Sequence, residues 1–168
     1  SHQEASKQDL TVFIEEEKKR ILPHVVEPSM GVDRLFWCIL EHCIREGGGG
    51  VEGRDWTWFD FPPAVAPFDC AVLPLMKKDG LKEKAEGIVR ELREAGFSSY
   101  YDESGSIGRR YARQDEIGTP YCLTIDYDTL KDETVTIRFR NDGKQARLKI
   151  AELPSKLREY VKSGKVSL

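Results

Sequence analysis

No apolar run in the 168 residues approaches the ~20 needed to cross a bilayer, and no charged-then-apolar leader opens the chain. Neither a membrane span nor a signal peptide is expected. Cysteine is sparse: Cys38, Cys43, Cys70 and Cys122 show no C-x-x-C spacing and sit inside apolar runs. That pattern excludes a zinc ribbon and predicts buried free thiols in a reducing compartment. Strong net charge is also missing. At −3 the chain as a whole is not a generic polyanion binder. No glycine-rich phosphate loop follows a strand, which argues against a free-standing nucleotide-binding α/β protein. What is present suffices for a core: 39% of residues are hydrophobic and 10% aromatic, three of them Trp. Disorder is excluded for most of the chain, and the length predicts one compact domain, or one domain with a piece of another.

The charge is unevenly spread. Residues 1–63 carry 7 basic and 12 acidic side chains, residues 64–168 carry 19 and 17, so an acidic part precedes a slightly basic one. Between them runs Glu46-Gly-Gly-Gly-Gly50-Val-Glu-Gly53, a loop on account of its backbone entropy. The aromatic stretch Trp56 to Phe61 alternates like a short strand and is stopped by Pro62-Pro63. Its rings either pack onto a neighbouring domain or stand free as stacking platforms for bases. Upstream, Leu10–Ile14 and Ile21–Val26 flank the charged hexamer Glu15–Arg20 as two arms of a hairpin. Val32, Leu35, Phe36, Ile39, Leu40 and Cys43 then form one helical stripe over roughly residues 31–45. A hairpin and one helix enclose no core, so this part reads as the end of a larger domain.

The second part is plainer. Strand-like runs cover residues 68–75, 97–101, 121–127, 134–140 and 146–150, with helices over 81–95, 107–117 and 153–161. Asn141-Asp142-Gly143 marks a hairpin. The order β-α-β-α-β-β-β-α predicts an α/β fold, a mixed five-stranded sheet flanked by three helices.

Val25-Val-Glu27-Pro28-Ser29-Met30-Gly31-Val32-Asp33-Arg34-Leu35 resembles the third signature motif of class II aminoacyl-tRNA synthetases, in the Glu-Pro-Ser form of the archaeal and eukaryotic glycyl-tRNA synthetases. The resemblance continues through Phe61–Pro67, Leu73-Pro74-Leu75, Ser104-Gly-Ser-Ile-Gly-Arg-Arg-Tyr-Ala-Arg113, Asp115–Gly118 and Glu152–Ser155. It implies three parts: residues 1–46 as the C-terminal remnant of the class II catalytic domain, 47–63 as linker, and 64–168 as a class IIa anticodon-binding domain. It also implies that Glu27, Pro28 and Ser29 hold glycine, the carboxylate pairing with the α-ammonium, and that Arg34 stacks on the adenine of ATP beside Gly31. A planar guanidinium does this better than an ammonium. From spacing alone, Glu27 reads as a strand-end surface carboxylate and Arg34 as a helix-surface partner of Asp33 or Glu41. The first two class II motifs have no counterpart here, so this piece alone is expected to be inactive, because adenylate formation needs the whole phosphate clamp.

For the C-terminal part the resemblance implies tRNA binding at the anticodon. Arg109, Arg110 and Arg113 lie within one helical turn, and Arg138, Arg140, Arg147 and Lys149 alternate with apolar residues and are expected on a solvent face, available to phosphates. The alternative is a structural network in which Asp115, Glu116 and Glu103 neutralise the helical arginines. The family implies ATP with Mg as substrate in the full enzyme, no cofactor on this piece, no structural metal, a cytoplasmic and in some cases also mitochondrial location, and a full-length homodimer. A second reading on the same scaffold is a non-catalytic nucleic-acid-binding accessory protein, like the accessory subunit of mitochondrial DNA polymerase. Retention of Glu27, Ser29, Gly31 and Arg34 favours the synthetase.

Overall fold

The computed structural model describes residues 2–168, which form two compact units, one ending at Leu35 and one running Phe36–Leu168. The first holds a short helix α1 (His2–Ser6) and an antiparallel pair, β1 (Val12–Ile14) and β2 (Lys19–Ile21), in the register Val12↔Ile21 and Ile14↔Lys19. The hairpin is there, but its second arm is Lys19–Ile21 and not Ile21–Val26. Residues 22–31 have no regular structure, because Pro23 and Pro28 withhold the amide donors that a strand needs. No described residue of this unit is buried, and Val25, Val26 and Met30 stand exposed. The amphipathic stripe is helix α2 (Val32–Cys43).

In the second unit β3 (Ile44–Glu46) pairs antiparallel with β4 (Thr57–Phe59). The segment expected as a connector is thus a hairpin whose loop holds Gly47, Gly48, Gly49 and Gly50, all at positive φ. The Gly47 and Gly48 amides donate back to the carbonyls of Trp56 and Arg54. The main sheet is built from β5 (Cys70–Pro74), β6 (Ser99–Tyr101), β7 (Tyr121–Ile125), β8 (Thr134–Phe139) and β9 (Gln145–Lys149), with helices α3 (Leu81–Glu94), α4 (Ile107–Ile117), a four-residue α5 (Thr129–Asp132) and α6 (Leu153–Ser163). Strand order is β6-β5-β7-β8-β9, parallel over the first three and antiparallel after. The fold class is the one expected. The addition is α5, opened by reciprocal bonds between Asp126 and Thr129, a signal too short for helical periodicity.

Alternation sorts the sheet into two faces. Cys70, Val72, Tyr121, Leu123, Ile125, Val135, Ile137 and Phe139 pack against the apolar stripes of α3 and α6. On the opposite face Ala71, Leu73 and Cys122 meet Ile107 and Tyr111 of α4. All four cysteines are free; Cys70 and Cys122 are buried, but Cys38 is exposed, contrary to the expectation that all four are inside. Burial drives the Cys70 thiol well above the ordinary range and pushes Cys122 up to about 12, so both are inert packing groups. Among the described residues no helix is long and apolar enough to cross a membrane.

Candidate nucleic-acid interface

Helix α4 is placed by its two ends. Ser106 caps the N-terminus, accepting the Arg109 amide at 3.4 Å. Gly118 closes the C-terminus in the left-handed conformation, at φ 81°. A Cβ on Gly118 would lie 2.3 Å from the Phe61 ring, so only glycine lets the helix end against that residue. Arg109, Arg110 and Arg113 do share one turn, but they do three different things. Arg109 is exposed and its side chain has no partner among the described residues. Arg113 is half exposed and grips Asp102, with Nε 3.1 Å from Oδ2, while its Nη2 donates to the Ser104 carbonyl at 2.6 Å. Arg110 is only 3% exposed and donates to the carbonyls of Pro74, Leu75 and Asp102, tying the ends of β5 and β6 to α4. It is not a phosphate ligand at the surface. Of the acidic partners suggested by sequence, none serves: Glu103 binds Tyr101, Lys77 and Lys82, and Arg113 uses Asp102.

The expectation that Arg138 and Arg140 face solvent is wrong. They are 5% and 0% exposed. Their side of β8 is the α4 side, and α4 lays Asp115 over it. Arg138 binds Asp115 in a fork, Nη1–Oδ1 2.8 Å and Nη2–Oδ2 3.0 Å, beneath the Tyr111 ring. Burial works against the Arg138 charge, but the hydrogen bonds and attraction of Asp115 outweigh it and hold the guanidinium above its ordinary value. Arg140 donates to the Gly118 and Phe61 carbonyls at 2.7 and 2.8 Å, to Asn141 Oδ1 at 2.9 Å and to Asp60 Oδ1 at 3.0 Å. A third cation, Arg54, enters from the β3–β4 loop. Its Nη2 lies 2.9 Å from Asp115 Oδ2 and also reaches the Arg140 carbonyl, and its guanidinium sits 4.3 Å over the Trp58 ring. Burial holds Arg54 and Arg140 below the ordinary guanidinium value despite these carboxylates.

Sequence reading missed Arg54 altogether. One signal for the network did exist: Ile107, Tyr111, Gln114, Asp115 and Gly118 fall on one stripe of α4, so Asp115 belongs to the inward face. Trp58 is buried within this unit, which makes it a packing residue and not a free stacking platform.

What remains open is the β8–β9 end of the sheet face that α4 leaves uncovered. Cross-strand pairs share a face, and Thr136↔Arg147 and Thr134↔Lys149 place four polar side chains there. Arg147 and Lys149 are exposed as expected. Arg147 reaches across Thr134 and Thr136 to Asp126, with Nη1–Oδ2 2.6 Å. Among the described residues this patch and Arg109 are exposed cationic features of the α4 side, and Arg113 is half exposed.

In the first unit Glu27, Pro28, Ser29, Gly31 and Arg34 are all exposed. Among the described residues Arg34 pairs with neither Asp33 nor Glu41, and its stem folds over Gly31, where a Cβ would find it at 3.9 Å. Glu27 lines a cavity of about 730 Å³ with Leu10, Leu22 and His24, and Ser29 and Arg34 do not. Among the described residues no three His, Cys, Asp or Glu side chains converge to hold a metal.

The chain is similar to the glycine–tRNA ligases of several archaea. It is 48% identical over 161 residues to that of Thermococcus gammatolerans, covering 94% of this chain and 27% of the relative. To that of Methanocaldococcus jannaschii it is 47% identical over 144 residues, covering 86% and 24%, and to that of Aeropyrum pernix 50% identical over 147 residues, covering 87% and 24%. The chain therefore spans about a quarter of the length of these relatives. Among solved structures it resembles the prolyl-tRNA synthetase of Cryptosporidium parvum with a TM-score of 0.59 at 20% identity, over 63% of this chain and 23% of that one. That likeness speaks for the fold. The profile described as "Anticodon binding domain" matches residues 69–160, more than half of the sequence, and on that match the chain belongs to the anticodon-binding domain family.

Proposed function

We propose that the chain is the C-terminal part of a glycine–tRNA ligase, residues 64–168 holding the anticodon region of glycine tRNA and residues 1–46 contributing one wall of the catalytic site, with 47–63 between them. The observation that carries this reading is 47–50% identity to glycine–tRNA ligases sustained over more than four fifths of the chain. Nothing in those matches favours a non-catalytic accessory protein. In the parent enzyme Glu27 offers a carboxylate to the α-ammonium of glycine, with Pro28 and Ser29 shaping that end. Arg34, exposed and unpaired, offers its guanidinium plane to adenine next to Gly31. ATP supplies the activating phosphoanhydride. The described residues offer no cluster for Mg, so no part of its chemistry is assigned to them. The parent is a homodimer of the cytoplasm, and in some hosts also of mitochondria.

On the anticodon unit, Arg109 and the Arg147–Lys149 patch take the backbone, and unstacked loop bases lie on the open sheet face. The test is titration of glycine tRNA into this chain at two salt concentrations, with melting curves alongside. Binding without the acceptor-arm contacts is weak, about 10–100 µM in moderate salt. Arg109→Ala weakens it and lowers the salt slope by about 1 without moving the melting temperature. No binding by the unsubstituted chain at low salt overturns the reading.

A further inference from the structure

The buried cluster formed by Arg54, Asp115, Arg138, Arg140 and Asp60 takes no part in the tRNA-facing surface, yet it joins three segments distant in sequence. Asp115 comes from α4, Arg138 from β8, Arg140 from directly after it, and Arg54 and Asp60 from the hairpin segment that leads into residues 64–168. Arg54 and Asp60 have no backbone stake in the main sheet or its helices, and Arg54 is the one of the two that reaches Asp115. Its guanidinium is wedged between the Trp58 ring and Asp115. The Trp58 indole in turn donates to the Gly47 carbonyl at 3.0 Å. The glycine turn closes over both: a Cβ on Gly49 would lie 2.6 Å from Trp58 and 2.7 Å from Arg54 Nη1. On its far side the hairpin holds the end of α2, through the Asp60 amide on the Cys43 carbonyl at 2.7 Å.

We infer that Arg54 is a latch, a positioning residue that fixes the path by which the chain enters the anticodon-binding unit and thereby serves tRNA charging without touching substrate. The four-glycine run is then a fitted lid over the latch and not a hinge, because its conformation is set by what lies beneath it. This role for Arg54 rests on the ligase reading above. It separates two activities that a synthetase performs in one protein. Glycine activation needs only the catalytic domain, whereas charging needs the anticodon unit presented correctly to the same tRNA.

The test uses Arg54→Met, Arg54→Lys and Gly49→Ala in the full-length protein, with hydrogen exchange of the residue 44–60 amides in each. The glycine variant forces the lid off the latch while leaving every charge in place. Arg54→Met and Gly49→Ala are expected to speed exchange in that segment and raise the tRNA KM about tenfold, while glycine-dependent pyrophosphate exchange keeps its rate. Arg54→Lys, which retains the charge facing Asp115, recovers part of the loss. An equal fall of both activities identifies a folding defect and overturns the latch. So does an unchanged tRNA KM despite faster exchange, or unchanged exchange in both variants. Absence of charging by the unsubstituted full-length protein overturns instead the ligase reading.

Discussion

Asp115→Asn is the sharpest perturbation that the anticodon-binding unit offers. The side chain is fully buried, and its two oxygens accept three guanidinium hydrogen bonds, one from Arg54 and two from Arg138. Replacing the carboxylate by an amide leaves three buried guanidiniums, Arg54, Arg138 and Arg140, facing the single carboxylate of Asp60. The amide nitrogen also brings a donor to a position where the neighbours offer only donors. Breaking a buried pair from one side costs about 3–5 kcal/mol, because the surviving charge has lost its compensation. For a unit of this size that is a fall of about 10–20 °C in melting temperature. Urea denaturation followed by tryptophan fluorescence reads it out, with Trp58 lying against Arg54 as the local reporter. The double variant Asp115→Asn with Arg138→Met should be less damaged than the sum of the two singles, since it also removes the stranded cation. A loss below about 1 kcal/mol for Asp115→Asn, on the scale of an exposed ion pair, would refute the claim that this carboxylate holds α4 to β8.

Two further substitutions address neighbouring features. Gly118→Ala puts a methyl into the Phe61 ring at a left-handed backbone position and should cost about 2–5 kcal/mol from strain and overpacking together, whereas Gly80→Ala, also at positive φ but with open space around it, should lose only the conformational part, about 1 kcal/mol; equal losses in thermal melts would contradict the close approach. Asp126 is partly buried, which works to raise its pKa, but hydrogen bonds from Thr129 and Arg147 prevail and hold the carboxyl below its ordinary value. A lowered folded-state value means that this stabilisation is complete above about pH 4, the unfolded value, and is lost as pH falls through the folded one. Stability curves between pH 5 and 2 should therefore be flatter for Asp126→Asn than for the parent, and curves of identical slope would show that the carboxylate is not held this way.

How much of this was legible in the sequence depends on what each signal constrains. Periodicity gave the helices and strands of residues 68–168 nearly in full, since α3, α4 and α6 bury one stripe each and the central strands are apolar on both sides. The apolar run Ile21–Val26 does not extend the hairpin arm beyond Ile21, because Pro23 and Pro28 withhold the amides a strand needs. Side-chain alternation placed Arg138 and Arg140 on the correct face of β8. It carried no information about what covers that face, and a strand with polar residues on one side looks solvated until a helix supplies the matching carboxylate. Arg54 was illegible for a related reason: it sits in a glycine-flanked loop, and its partners Asp115 and Arg140 lie more than 60 residues away.

The same distinction bears on the run from Ser104 to Arg113, which carries the resemblance most specifically. Nucleic-acid binding would explain a cluster of arginines, but of the three only Arg109 stands exposed with no side-chain partner among the described residues. Arg110 ties together the ends of two parallel strands, Arg113 clamps the loop before α4 through Asp102 and Ser104, and Ser106 caps the helix. Each of these roles fixes residue type as tightly as a ligand would. A lysine has no planar fork to span three carbonyls, and an alanine would deprive the buried Pro74 carbonyl of the Arg110 donor. A motif can thus mark a nucleic-acid-binding family while most of its side chains face inward. The outward positions without a buried role are Arg109 on α4 and Arg147 and Lys149 on β9, and substitution there should leave the packing of α4 on the sheet intact.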